Sequence, residues 1–588
     1  MQYRLYSNDS NLDNVVETVL KNRGVGNPEH YLNLSADVII PYTKLNNIDK
    51  AVDVFMRHFN RENKISIIVD EDVDGFCSAA MMYLYIKRMN KDYPVSYILH
   101  GRAKAHGLSD DIEICKDTKL LIIPDAGTND IDQCAELREK GIDVLILDHH
   151  EAEKENPYAI IVNNQTSCNY PNKDFCGAGV VYKFLQALDE ENWNEFADDY
   201  LDLCALANIS DVMDMRSYET RYLANIGLLN IKNKAFTALI KAQDYSMNGK
   251  INIHNVQWSI TPVINGMVRV GSNAEKDLLF RAFIEQDEFF EYKKRATKDK
   301  PAEVIQESIY DRAARLCKNA KSRQDKMREK GVQAICEVVD QQLDDNKIVV
   351  ADVTELLDGG LTGVVAIKIA EQYNKPCILL KRHMDFQTGK VVYGGSARNL
   401  NYSPIENLKE IVNDTGIING QGHANAFGIV DLPIDQLDEA IEKLNEELRD
   451  VVYDATYRVD FILDINNVNI PLIVELSQFE DIRCQGIEDP MLAIENISLT
   501  RDSFEIFGKN EDTISFSIDG IKYVQFKCKA GNKLYDFLQD AWNDDDKVTF
   551  NIVGTPSINE YNGIRTPQII IEDVTVIETS GSNNEEDW

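Results

Sequence analysis

Between residues 65 and 148 the chain repeats one local pattern, a short apolar run rich in β-branched residues that stops abruptly at polar ones. ISIIV (65–69), VSYIL (95–99), KLLIIP (119–124) and VLILD (144–148) are each too short for a typical helix, and helical stretches separate them. Strands buried on both faces read as continuous apolar runs, so the pattern predicts a parallel α/β sheet. Open sheets of this kind place their sites at the carboxyl ends of the strands. Here those ends carry Asp70-Glu71-Asp72-Val73-Asp74-Gly75, Asp125-Ala126-Gly127 and Asp148-His149-His150.

Three carboxylates at alternate positions closing on a glycine resemble a calcium loop. A calcium-binding helix–loop–helix starting at Asp70 needs a bidentate Glu at its twelfth position, which is Met81, and a helix rather than a strand before it. A solvated acidic turn is the bland alternative for this segment alone. Three further segments weigh against it: LLIIPDAG supplies Asp125, VLILDHHEAE supplies Asp148, His149 and His150, and LCALANISDVMDM supplies Asp211. The chain has only 9 His, so two adjacent ones straight after a buried strand are informative. An Asp/His set delivered from several strand ends suits two hard divalent ions about 3.5–4 Å apart, which ionise a water and stabilise charge developing on phosphate oxygens.

Composition sets the frame for this chemistry. A chain of 588 residues exceeds what one core serves, so three or four units in series are expected. The 44% hydrophobic content is that of a globular protein. The 11 Cys are scattered without a CxxC pair, which disfavours structural zinc and a disulfide framework and leaves buried free thiols. A net charge of −35 argues against coating duplex nucleic acid through a broad basic face, although clustered cation-binding carboxylates contribute to it. The first residues lack a basic start and an apolar run, and no long apolar stretch occurs elsewhere, so the expected location is cytoplasmic with no membrane partner.

Along the chain, residues 1–60 read as a lead segment of short helices and loops, and 61–230 as the first α/β domain. Residues 231–335 read as a mainly helical connector that includes the charged segment 302–330, and 336–450 as a second α/β domain. Residues 451–579 carry strand and turn signals that suggest a small β-barrel, and 580–588 form an acidic tail expected to be disordered. In the second α/β domain, GGSARNL (394–400) and GQGHANAFG (420–428) read as glycine-rich turns that bring backbone amides to an anion, with Arg398 and His423 as added donors. In the last, Lys522, Tyr523, Lys527 and Lys529 interleave charge with an aromatic ring, as a stacking-and-phosphate groove would; a solvated strand face is the alternative.

The ordered set DEDVDG, PDAG, DHH and ANISD matches the four motifs of the DHH phosphoesterase superfamily, and the chain as a whole resembles the RecJ-like single-strand-specific DNA exonucleases. IVNNQTSCNYPNKDFCGAGVVYKFL (161–185), GRAKAHGL (101–108) and SITPVINGMVRVGS (259–272) are similar to RecJ segments, with His106 where a Tyr is usual. The glycine-rich pair resembles the DHH-associated domain, with Gln421 departing from its Gly-Gly-His, and NEYNGIRTPQIIIEDV (559–574) resembles the RecJ oligonucleotide-binding barrel. The resemblance implies Asp70, Asp72, Asp74, Asp125, His149 and Asp211 as the metal set, His150 on the scissile phosphate and Asp148 orienting its neighbours. It implies Arg102, Asn265, Arg269, Ser396, Arg398 and His423 as substrate contacts.

The expected activity is 5′-to-3′ hydrolysis of single-stranded DNA to 5′-mononucleotides with two Mn2+ or Mg2+ ions, by a monomer working in DNA repair, recombination or replication, with a single-strand-binding protein or helicase as a further partner. The competing expectations are a DHH phosphodiesterase for short oligoribonucleotides or cyclic dinucleotides, which has no need of a C-terminal barrel, and a non-catalytic replication scaffold, which has no need of a complete metal set.

Overall fold

The computed structural model describes residues 1–7, 11–101, 106–109, 112–294, 296, 301–340, 346–357, 359–385, 389–508, 511–528, 532–539, 547–561 and 563–580. Arg102, Lys529 and all but the first residue of the 580–588 tail lie outside these described residues. The chain forms two compact units. One comprises His30–Met327 with Cys484–Gly486, the other Met1–Glu29, Arg328–Arg483 and Ile487–Trp588.

The first unit is built on five parallel strands, β1 (Ile65–Val69), β2 (Val95–Leu99), β3 (Leu120–Pro124), β4 (Asp143–Asp148) and β5 (Ile160–Asn163), in the order β2-β1-β3-β4-β5. Every residue of β1 and β3 is buried, as their unbroken apolar sequences require. Helix α1 (Val73–Met89) follows β1 directly and packs against α2 (Gly177–Asn192) and α3 (Leu201–Ser210). A π-helical segment over Val256–Ile260 leads into α4 (Thr261–Val270), and α5 (Asn273–Phe283) starts from a Ser272/Glu275 capping box.

The stretch expected to be mainly helical also contains an antiparallel hairpin, β6 (Phe289–Lys294) with β7 (Glu303–Ser308), before the 31-residue helix Ile309–Val339. The charged segment 302–330 therefore starts as a strand. Its opening, Val304-Ile305-Gln306, is short and largely solvated, so it offers little apolar contrast to read.

In the second unit, β8 (Val349–Asp352), β9 (Cys377–Met384), β10 (Val391–Arg398), β11 (Asn419–His423) and β12 (Ala426–Pro433) form one mixed sheet in the order β11-β12-β10-β9-β8. Of the two glycine-rich segments expected as turns, 394–400 runs mainly as a strand, whereas 420–428 is a hairpin that turns at Ala424-Asn425. Gly394, Gly395 and Ser396 lie within β10, and a Cβ on Gly395 would sit 2.1 Å from the Leu379 carbonyl oxygen of β9. These glycines permit close strand approach, which in sequence looks the same as a turn.

The C-terminal strands β13 (Phe461–Asp464), β14 (Leu492–Thr500), β15 (Glu505–Phe507), β16 (Thr513–Ile518), β17 (Ile521–Gln525), β18 (Lys547–Tyr561) and β19 (Ile564–Ser580) make a seven-stranded mixed sheet ordered β13-β14-β18-β19-β17-β16-β15. Tyr523, expected to present a stacking ring, is 1% exposed and stacks on Phe516 inside the core. Among the described residues the half-exposed rings here are Phe507, with the Lys522 ammonium 4.9 Å from its centroid, and Phe526.

Residues 2–5, expected within helices and loops, form a strand parallel to Thr456–Val459. Arg23 adds two 2.9 Å hydrogen bonds to the buried Asp460 carboxylate. Among the described residues no helix is long and apolar enough to cross a membrane. All the cysteines are free, but Cys115 and Cys168 are exposed rather than buried.

Candidate metal and phosphate site

The turn after β1 is shaped by its own carboxylates. Asp72 caps α1, its Oδ1 accepting the Gly75 N–H at 2.8 Å. An acidic side chain there satisfies one of the unpaired N–H groups at a helix start and meets the positive end of its dipole. Gly75 is required, because a Cβ would lie 2.5 Å from Asp70 Cβ and 2.7 Å from its carbonyl oxygen. Asp74 follows in the first turn of α1 and is buried.

A second helix start fixes Asp74. Its Oδ2 accepts the Gly177 N–H at 2.6 Å, and its Oδ1 accepts the Ala178 N–H at 2.8 Å and the Ser78 hydroxyl at 3.0 Å. The start of α2 thus points two otherwise unpaired donors at one carboxylate.

Asp125 stands just past β3 in the left-handed region, at φ +67°, and its N–H donates to the Leu147 carbonyl oxygen at 2.8 Å. Its buried Oδ1 lacks a hydrogen-bond partner and lies 3.2 Å from His149 Nε2. His149 Nε2 is also 3.5 Å from Asp211 Oδ2 and 3.9 Å from Asp74 Oδ2.

Asp148 is fully buried and acts on its neighbours. Its Oδ1 accepts the His149 N–H at 2.7 Å and His150 Nδ1 at 2.8 Å, and its Oδ2 accepts the Thr128 N–H at 3.1 Å. Burial opposes the Asp148 charge, but the bond and charge of His150, with Thr128 and His149, together outweigh it and hold the carboxyl below its usual range. Burial likewise pulls His150 down, and Asp148 outweighs it, so His150 is raised.

Donor atoms of Asp70, Asp72 and Asp125 lie within 4.8 Å of one another, as do those of Asp74, His149 and Asp211, and those of Asp125, His149 and His150. Burial, then repulsion from Asp74 and Asp70, pushes Asp72 up to about 6. Burial, then repulsion from Asp74 and Asp72, raises Asp125 and Asp211. Burial lowers His149, which favours the neutral ring that can donate a lone pair. Carboxylates packed this closely resist full ionisation unless a cation joins them. A carboxylate-rich set with one imidazole, and with Asp125 Oδ1 left unbonded, fits hard divalent ions such as Mn2+ or Mg2+.

The structure thus brings together all six residues of the expected metal set, with Asp148 and His150 beside them. Asp211 arrives differently from the expectation: it caps the C-terminus of α3 rather than ending a strand. Asn265 and Arg269 lie on α4, whose Thr261 hydroxyl is 2.8 Å from that of Ser210 beside Asp211. The exposed Arg269 is lowered by partial desolvation and raised by the field of Asp72.

Ser396, Arg398 and His423 belong to the other compact unit. There the Ser396 and Thr362 hydroxyls are 2.9 Å apart, Arg398 Nη1 donates to the Ala397 carbonyl oxygen at 2.7 Å, and His423 is exposed.

Two features went unread in the sequence. His106 Nδ1 lies 2.7 Å from Asp70 Oδ2, and the Gly107 N–H donates to Asp70 Oδ1 at 3.0 Å. Glu71, between two carboxylates of the set, pairs with the buried Lys276 of α5 at 2.5 Å. The rarity of His was a signal for the first. The second joins residues 205 apart, and nothing local announces it.

The family model described as the DHH family N-terminal domain matches residues 64–208, and the RecJ OB domain model matches 459–573. The SPbeta prophage protein of Bacillus subtilis strain 168, named as a single-strand DNA-specific exonuclease, YorK, is 36% identical over 585 residues, covering 98% of this chain and 99% of that one. The single-stranded-DNA-specific exonuclease RecJ of the same organism is 26% identical over 562 residues, covering 92% of this chain and 65% of its own. A crystal structure of RecJ from Thermus thermophilus in complex with Mn2+ superposes with a TM-score of 0.70 at 18% identity, covering 96% of this chain and 76% of the other. Together with the assembled motif residues, these similarities show that the chain belongs to the RecJ-like family of the DHH superfamily.

Proposed function

We propose that this chain is a metal-dependent exonuclease that hydrolyses single-stranded DNA from the 5′ end and releases 5′-mononucleotides. The observation that carries the reading is that two donor groups, Asp70/Asp72/Asp125 and Asp74/His149/Asp211, are joined through a third, Asp125/His149/His150, into one largely buried cluster. Asp70, Asp72, Asp74, Asp125, His149 and Asp211 would hold two divalent ions. When bound, such ions activate water and neutralise charge on the phosphate in an in-line displacement.

The chain's own groups do the positioning. Asp148 fixes the His150 ring through Nδ1, which leaves Nε2 for a phosphate oxygen. Arg102, Asn265 and Arg269 add contacts to the strand, and Ser396, Arg398 and His423 bind its backbone. The C-terminal OB unit favours long single strands over short oligoribonucleotides or cyclic dinucleotides, because an isolated phosphodiesterase site has no use for it.

Digestion of 5′- and 3′-end-labelled single strands, DNA against RNA, with Mn2+ present, tests polarity and substrate together. Release of labelled mononucleotide first from 5′-labelled DNA is expected. Faster hydrolysis of short RNA than of long DNA would overturn the reading.

A further inference from the structure

His106 is held by the metal cluster without belonging to it. Its Nδ1 is bound to Asp70 Oδ2 at 2.7 Å, and its ring meets the His150 ring edge to face, with centroids 4.8 Å apart. The His150 and His149 rings are in turn 4.4 Å apart, so three imidazoles form a continuous row. The backbone secures this placement: Asp70 Oδ1 accepts the Gly107 N–H at 3.0 Å, and Asp130 Oδ2 accepts the Leu108 N–H at 2.7 Å. Gly107 has φ +59°, and a Cβ there would lie 2.3 Å from Asp130 Oδ2, so the turn is built around a glycine.

A side chain whose only task was to hold Asp70 could be enclosed. The His106 side chain is instead 49% exposed, and its Nε2 has no hydrogen-bond partner among the described residues. The same division holds at His150, where Nδ1 is bound to a buried carboxylate and the side chain is 44% exposed. Two imidazoles are therefore each pinned by Nδ1 to a buried Asp, lie edge to face, and offer Nε2 to the solvent side. Such a pair suits an anion with two oxygens to share.

We propose that His106 is a further catalytic residue: as the imidazolium, in which both ring nitrogens donate, it bonds a non-bridging oxygen of the phosphate being cleaved from Nε2 while its Nδ1 steadies Asp70. This rests on the nuclease reading above. The contact is additional to the metal set, since His106 is absent from all three groups of clustered donor atoms.

Two substitutions separate the halves of this role. The amide nitrogen of Asn reaches where Nδ1 stands, so His106→Asn keeps the Asp70 bond and loses the far donor. Gln reaches where Nε2 stands, so His106→Gln does the reverse. The readouts are Mn2+ affinity by calorimetry, binding of a non-hydrolysable phosphorothioate single strand, and kcat/KM on 5′-labelled DNA.

We expect His106→Asn to bind Mn2+ within about twofold of wild type and to lose about ten- to a hundredfold in kcat/KM, the size of one charge-assisted phosphate contact. His106→Gln should retain strand binding better than His106→Asn and bind Mn2+ more weakly. Wild-type kcat/KM in His106→Asn, or a loss that tracks weakened Mn2+ binding, overturns the proposal and leaves His106 as a support for Asp70 alone. An inactive wild-type protein would instead sink the nuclease reading, so the two failures are distinct.

Discussion

Gly177 lies so close to Asp125 that a Cβ on it would sit 2.6 Å from Asp125 Cβ and 2.7 Å from Asp125 Cα, while its N–H donates to Asp74 at 2.6 Å. One residue at the start of α2 thus sets the distance between two carboxylates of the cluster. Neither contact can relax by rotating a flexible side chain, because both involve atoms at the backbone.

Gly177→Ala should therefore displace α2 or Asp125, at a cost of about 1–3 kcal/mol in stability. Mn2+ affinity should fall by at least tenfold, and hydrolysis by more. Calorimetric titration beside a thermal melt checks this; unchanged Mn2+ affinity in a folded Gly177→Ala protein would contradict it.

The second unit depends on a contact between distant parts of the chain. Arg23 and Asp460 are 3% and 0% exposed, and two parallel hydrogen bonds join them. Removing one partner leaves a buried charge, which costs about 3–5 kcal/mol. Asp460→Ala should lower the denaturant midpoint of this unit accordingly, while Asp435→Ala, on an exposed surface of the same unit, should not. The same contact complicates truncation near residue 450, which would strip Gln2–Leu5 and Arg23 of their partners Thr456–Val459 and Asp460.

How much of this could be read from the sequence follows from range. The strands of the first sheet except β5, and the residues at their ends, were legible because a continuous apolar run and its polar stop are local signals. Gln2–Leu5 was not, since its pairing partner lies more than 450 positions away. The β6/β7 hairpin was hidden because it buries little. Glycines in β10 were mistaken for turns because sequence does not distinguish a left-handed residue from one that admits a neighbouring strand. Tyr523 illustrates a further limit: alternation with Lys522 gives its face but not which face is covered.

The carboxylate cluster predicts a pH-dependent stability. In the metal-free protein Asp72 is raised to about 6, and Asp125 and Asp211 are raised as well. The folded state then binds more protons than the unfolded state above about pH 4, the ordinary carboxylate value, so stability falls as pH rises through about 6. Mn2+ should cancel this loss. The difference in melting temperature between Mn2+ and EDTA samples should widen from about pH 5 to 8, and a constant difference would contradict the account.

Arg398 belongs to a different compact unit from every carboxylate of the cluster. Arg398→Ala should reduce single-strand affinity by about ten- to a hundredfold, as one charge-assisted contact implies, and leave Mn2+ affinity unchanged. In the OB unit, Phe526→Ala should weaken binding to long strands by about 1–3 kcal/mol, as loss of one stacking ring does, with hydrolysis of very short oligonucleotides spared. Filter binding and calorimetry on the same variants check both. Loss of Mn2+ affinity in Arg398→Ala, or equal effects of Phe526→Ala on long and short strands, would contradict these roles.

Hydrolysis of single-stranded DNA from its 5′ end by the Asp/His cluster of the first unit is the proposed activity. Its most direct measurement is the release of 5′-mononucleotides from end-labelled single strands with Mn2+, by the wild-type protein and by cooperatively melting Asp74→Ala and His149→Ala variants. Ordered 5′ release by the wild type, abolished in both variants and in EDTA, is the predicted result. Retention of more than a few per cent of wild-type activity by both variants would contradict it.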